Sequence, residues 1–244
     1  MRPLLALLAP LVLLLSGCFD FTEEVWVERD HSARIAWTYG FDEHDLGPEQ
    51  VVDLQRQLED TARELGQREG VTRAASRYAL RDGVHAFTLD VGVAHYRTLE
   101  GLLAEARRSM ARRAGVASAE ASPYRFEALD DGRVRWVRSL GAEGSAQRQM
   151  AAADRELRAK KEDAREHRMT FRFHAPRIDA AETATDLGKR SAEWSFSYTD
   201  EALPDALTAE FRFAPGLPWG LMLGLAGATA GFVWLRKKWH RRWE

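Results

Sequence analysis

The single cysteine of this 244-residue chain constrains it more than any other position. It stands in Leu15-Ser16-Gly17-Cys18, directly after the apolar run from Leu4 to Leu15. Arg2 supplies a positive start and small residues precede the thiol, so Met1–Gly17 reads as a bacterial lipoprotein signal peptide. Its apolar core is too short for a comfortable spanning helix. Acylation of Cys18 with diacylglycerol and palmitate accounts for a lone thiol in an exported protein, where an unpaired one is otherwise unusual. With no second cysteine there is no disulfide, and the exported part must be held by its core alone.

The other end carries a second anchor signal. Leu217–Leu235 holds no charge, and as a helix it is about 28 Å long, close to a bilayer's hydrocarbon thickness. Trp219 and Trp234 stand near its ends, where amphipathic rings favour the interface. Arg236, Lys237, Lys238, Arg241 and Arg242 follow, which places the tail 236–244 in the cytoplasm by the positive-inside rule. Within the span, Gly220, Gly224, Gly227 and Gly231 recur at spacings that let helices approach closely. The expected partners are therefore membrane lipids and, through this helix, a membrane protein or a second copy of the chain. The expected location is the bacterial inner membrane, lipid-anchored and single-pass, with the main domain, residues 18–214, on the periplasmic side.

Charge sharpens this. Between Phe19 and Ala214 there are 29 Lys and Arg against 36 Asp and Glu, a net charge of −7. That argues against a nucleic-acid partner. The hydropathy pattern predicts an α+β fold, an antiparallel sheet of hairpins with amphipathic helices on one face. Val25 and Val27, then Ile35, Trp37, Tyr39 and Phe41, alternate around Asp30-His31-Ser32 as a first hairpin. Pro48–Arg68 places Val51, Leu54, Leu58, Ala62 and Leu65 on one helical face before Gly70. Tyr78 and Leu80, then Phe87, Leu89, Val91 and Val93, flank the turn Arg81-Asp82-Gly83. Leu99, Leu102, Leu103, Ala106 and Met110 suggest a second amphipathic helix. A third hairpin sets Tyr124, Phe126 and Ala128 opposite Val134 and Trp136, with Arg133, Arg135 and Arg138 on its outward face. Glu143–Arg168 is alanine-rich and densely charged, and its Asp154/Arg158 and Glu156/Lys160 spacings predict one long, solvated charged helix. Met169, Phe171 and Phe173, then Trp194, Phe196 and Tyr198, and finally Phe211 and Phe213, are expected to return to the same sheet.

Catalytic signatures do not emerge. The seven histidines form no zinc-protease pair, and no Gly-x-Ser-x-Gly elbow, phosphate loop or dinucleotide fingerprint occurs. No metal, no cofactor and no catalytic residue is expected, and the chain reads as a non-enzyme. What does accumulate is aromatic carbon on the inward faces of the predicted strands. Trp37, Tyr39, Phe126, Trp136, Trp194 and Phe196 are the candidate lining of an apolar-ligand site, if sheet and helices leave a cavity; if they close fully, the same residues are core.

Two patches resemble a known family. The first is Phe21-Thr22-Glu23-Glu24-Val25-Trp26-Val27-Glu28-Arg29-Asp30-His31-Ser32, a strand running into an Asp-x-Ser turn. The second is Phe173-His174-Ala175-Pro176-Arg177-Ile178 with Trp194-Ser195-Phe196, a strand–Pro–strand ending in tryptophan. Both resemble the LppM-domain family of bacterial envelope lipoproteins. The resemblance implies a lipid-modified envelope protein with an α+β exported domain, no catalytic motif, and binding of lipids or glycolipids. The functional expectation is thus a membrane-anchored lipoprotein that binds an apolar ligand or lipid near its own membrane. The alternative is a non-enzymatic interaction or assembly factor of an envelope protein complex.

Overall fold

A computed structural model describes residues 19–102, 104, 123–140, 167–197 and 203–213. The chain divides into Met1–Phe213 and Ala214–Glu244, and all described residues belong to the first unit.

Strand β1 (Phe19–Val27) begins at the residue after Cys18 and pairs antiparallel with β2 (Ala33–Asp42), Phe19 opposite Phe41 and Val27 opposite Ala33. The turn between them closes with the Glu28 N–H donating to the Ser32 carbonyl at 2.9 Å, and His31 takes a φ of 69°. Helix α1 (Pro48–Gly66) starts with proline in its first turn, and the Gln50 side chain accepts from the Gly47 N–H at 2.8 Å. Proline lacks the N–H that has no partner there, and the glutamine satisfies a neighbouring one. Leu54, Leu58, Ala62 and Leu65 are buried on one face of α1, which packs on β3 (Val71–Arg81) and β4 (Val84–Val93).

Gly70 joins α1 to β3 with a φ of 79°, and its carbonyl accepts from the Ala94 N–H at 2.9 Å. A Cβ there would meet Thr98 Cγ2 at 2.9 Å. Gly70→Ala therefore adds a left-handed penalty of about 1–2 kcal/mol to a steric one. Thermal unfolding of the variant should show a clear loss, and an unchanged midpoint would contradict this account.

The remaining strands are β5 (Tyr124–Ala128), β6 (Val134–Ser139), β7 (Arg168–His174), β8 (Ile178–Glu182), β9 (Asp186–Leu187), β10 (Ser191–Ser197) and β11 (Ala206–Phe211). They form a seven-stranded sheet, in the order β3-β4-β2-β1-β7-β10-β9, and a four-stranded sheet, β5-β6-β11-β8. One face of the large sheet is apolar. Part of it lies under α1, and the smaller sheet packs on β1, β7 and β10: Trp136 stacks on Phe173 at 4.6 Å, and Phe211 lies 5.3 Å from Phe173. The opposite face carries charge pairs, including Arg34 to Asp90 at 2.8 Å and Arg172 to Glu193 at 2.7 Å.

This corrects the expected α+β fold in several respects. The described residues are mostly strand, arranged as two packed sheets rather than one sheet with helices on a face. The large sheet is mixed, because β7 pairs parallel with β1, Phe21 aligned with Met169 and Val25 with Phe173. Strand β11 pairs with β6 and β8 and not with the large sheet. Neither the long charged helix nor the spanning helix is found: among the described residues α1 is the longest helix, and no helix is long and apolar enough to cross a membrane. Of the segment 143–168, Arg168 opens β7, because the alternation of Met169, Phe171 and Phe173 fixes a strand there; residues 143–166 lie outside the described residues. So do the signal peptide with Cys18, residues 217–235 with Gly220, Gly224, Gly227 and Gly231, and the tail. Of the second predicted helix, residues 98–102 are helical, with Leu99 buried.

Candidate functional site

The registers place inward side chains in transverse rows. One row crosses six strands: Tyr78 on β3, Phe87 on β4, Tyr39 on β2, Phe21 on β1, Met169 on β7 and Phe196 on β10. Phe21 lies 5.3 Å from Tyr39 and 5.9 Å from Phe171, ring to ring. Phe87 and Met169 are buried, whereas Tyr78 is exposed and Phe21, Tyr39 and Phe196 are partly exposed. This strip of aromatic carbon accepts more apolar contact than the fold gives it.

The next row toward the far end contains Leu89, Trp37, Glu23, Phe171 and Trp194. Glu23 is 2% exposed on this apolar face, and Arg138 of the smaller sheet, 3% exposed, reaches it. Arg138 Nε donates to Glu23 Oε1 at 2.9 Å and Nη2 to Oε2 at 3.2 Å. The Trp37 indole N–H donates to Glu23 Oε2 at 3.1 Å, and Arg138 Nη1 donates to the Ser139 carbonyl at 2.8 Å. The guanidinium also lies 5.1 Å from the Tyr124 ring and 5.7 Å from that of Phe171. A buried charge is tolerated when it is paired in this two-pronged way with its lone pairs used. The pair stitches one sheet to the other and, through Trp37, fixes one side of the aromatic strip. Arg138 is therefore inward, not outward. It shares the parity of Val134 and Trp136, while Arg133 and Arg135 lie on the other face, paired with Glu210.

Of the six candidate lining residues, the structure brings Trp37, Tyr39 and Phe196 to the open strip. Phe126, Trp136 and Trp194 lie in the closed core, 3%, 1% and 0% exposed, with Trp136 and Trp194 5.8 Å apart. Sequence reasoning missed Phe21 as part of the strip, although it stands in step with Glu23 and Val25 at the start of the first strand.

A concavity of about 520 Å³ lies at the opposite end of β1 from the strip, lined by residues that include Trp26, Glu28, Arg29, Asp30, His174 and Arg190. Trp26 is flanked there by the Arg34 guanidinium at 4.2 Å and by the stacked His174 ring at 5.3 Å. His174 Nε2 is 2.7 Å from Glu24 Oε1. Hydrogen bonds from the Ser32 hydroxyl and backbone N–H hold the Asp30 carboxyl below the ordinary aspartate range. The lining mixes both signs of charge. Among the described residues no three His, Cys, Asp or Glu converge as a metal site.

No protein-family model matches the chain, and no curated protein matches it in sequence. Among solved structures, the folded domain of Mycobacterium tuberculosis LppM, determined by NMR, aligns with a TM-score of 0.43 and 8% identity, over 82% of this chain and 92% of that one. A likeness at that level decides neither the fold nor the function.

Proposed function

We propose that the chain is a bacterial envelope lipoprotein, anchored by a lipid on Cys18, whose β-rich domain binds an apolar molecule such as a lipid chain along the strip of Phe21, Trp37, Tyr39 and Phe196. The observation that carries the reading is the incomplete covering of these four inward-facing side chains, Trp37 and Tyr39 on β2, Phe21 on the adjoining β1 and Phe196 on β10, one strand beyond β7. Fully burying an exposed aromatic side chain contributes roughly 1.5–3 kcal/mol; these four are already partly buried, so an occupant that covered the strip would gain a fraction of that from each. The site is a binding surface and not a catalytic centre, since the nearby charged groups are spent on one another, Glu23 on Arg138 and Trp37. The lipoprotein half of the proposal is supported by Leu15-Ser16-Gly17-Cys18, and by β1 beginning at the next residue.

Native mass spectrometry of the full chain, extracted in mild detergent, should show a co-purifying or added lipid that is lost in Tyr39→Asn with Phe196→Ser. Both positions are partly exposed, so the double variant should keep its fold. A protein that carries no lipid and ignores added lipid would count decisively against the strip as a site.

A further inference from the structure

Four large apolar side chains are exposed among the described residues: Val52, Tyr78, Leu80 and Leu187, at 50%, 37%, 47% and 51%. The registers sort them by height along the strands. Leu80 pairs with His85, His85 with Phe41, and Phe41 with Phe19, so Leu80 lies in the row where β1 begins. Tyr78 lies in the row of Phe21, one step above. Val52 is in the opening turns of α1, which starts at this same end, after β2 finishes at Asp42. Leu187 is elsewhere. It pairs with Ala192, Ala192 with Phe173, and Phe173 with Val25, which puts it about 20 Å farther along the strand direction.

We infer that the end of the domain bearing Val52, Tyr78 and Leu80 rests on the surface of the membrane that holds the lipid of Cys18, so that the sheet stands on the bilayer with the Trp26 and His174 end outward. The inference rests on the lipid anchor proposed above. Cys18 immediately precedes the first paired residue, one Cα step of about 3.8 Å from Phe19, so the anchor leaves no linker in which the domain could turn freely. An acylated cysteine at that position draws this end to the leaflet, and this end carries three of the four exposed apolar side chains. The strip of Phe21, Tyr39 and Phe196 then lies in the rows beside the bilayer, where a lipid chain could pass to it without crossing water.

The contact is apolar and not electrostatic. Asp42 ends β2 and Glu43 and Asp45 follow it at the same end, and Glu49 is in the first turn of α1. An anionic leaflet would repel this rim. A zwitterionic surface meets the same apolar residues without that opposition, and salt should change the contact little.

The test uses the full chain in phosphatidylcholine vesicles. Because Cys18 is the only cysteine and is consumed by acylation, Val52→Cys, Leu80→Cys and Leu187→Cys each give one thiol for a bimane label. Nitroxide-bearing lipids should quench the label at positions 52 and 80 several-fold more than at 187, in low and high salt alike, and no more strongly when phosphatidylglycerol is added. Equal quenching at all three positions, with the protein still vesicle-bound, would overturn the upright placement while leaving the anchor intact. Uptake of bimane by the otherwise unchanged chain would show a free Cys18 and overturn the anchor, and the placement with it.

Discussion

Arg138→Met should lower the unfolding free energy by about 3–5 kcal/mol, because it leaves the Glu23 carboxylate buried with no countercharge. Glu23 is 2% exposed, and its remaining donor would be the Trp37 indole N–H at 3.1 Å. The pair itself need not be a large source of stability, since desolvation offsets most of the attraction between its members. That separates two effects. Glu23→Gln combined with Arg138→Met removes both charges and keeps an acceptor for Trp37, so the double variant should recover most of what the single one loses. Urea unfolding followed by tryptophan fluorescence measures both. A single variant within 1 kcal/mol of wild type would show that the carboxylate finds water or another donor, and the two sheets would then not depend on this contact. Both variants keep an acceptor for the Trp37 N–H, so Trp37 should hold its place beside Tyr39 and Phe21 in each.

The Glu23–Arg138 contact also marks where the amino-acid sequence can be read and where it cannot. Both residues announce themselves locally. Glu23 stands in step with Phe21 and Val25, and Arg138 in step with Val134 and Trp136; a charge on an apolar alternation, twice and with opposite signs, is the pattern of a buried pair. The parity of the strand sets Arg138 apart from Arg133 and Arg135, which face outward. The hairpins β1–β2, β3–β4 and β5–β6 were legible for a similar reason, since period-two alternation and the Asp-Gly turns at Asp82-Gly83 and Asp131-Gly132 are local signals. The assignment of strands to sheets was not. That β7 lies parallel to β1, aligning Met169 with Phe21, depends on pairing across most of the chain, and nothing in either strand's own composition selects that partner. Because the aromatic strip exists only once Tyr39, Phe21 and Phe196 are brought into one row, the alternation pointed to Tyr39 and Phe196 without Phe21, and did not separate them from Phe126, Trp136 and Trp194. These have the same residue types and the same alternation, and differ only in which sheet covers them.

Trp136 is where that distinction has its largest consequence. The side chain is 1% exposed, stacked on Phe173 at 4.6 Å and within 5.8 Å of Trp194 and 6.0 Å of Tyr124. It fills the space between the sheets. Trp136→Ala should therefore cost about 3–5 kcal/mol, the transfer free energy of the indole plus the cavity left where two rigid sheets cannot collapse onto it. Unusually for a buried tryptophan, its Nε1 has no hydrogen-bond partner among the described residues, and a buried donor left unpaired carries a penalty of about 1–3 kcal/mol. Trp136→Phe removes that donor together with part of the ring, so the two changes oppose one another and the net loss should stay below about 1.5 kcal/mol, in the range of a tolerated hydrophobic swap. Denaturant unfolding of the two variants gives a ratio that a generic core position would not: a large loss for alanine beside a small one for phenylalanine. Comparable losses would mean that the indole N–H meets a partner after all, and that the inter-sheet core is held at this point by a polar contact as well as by packing.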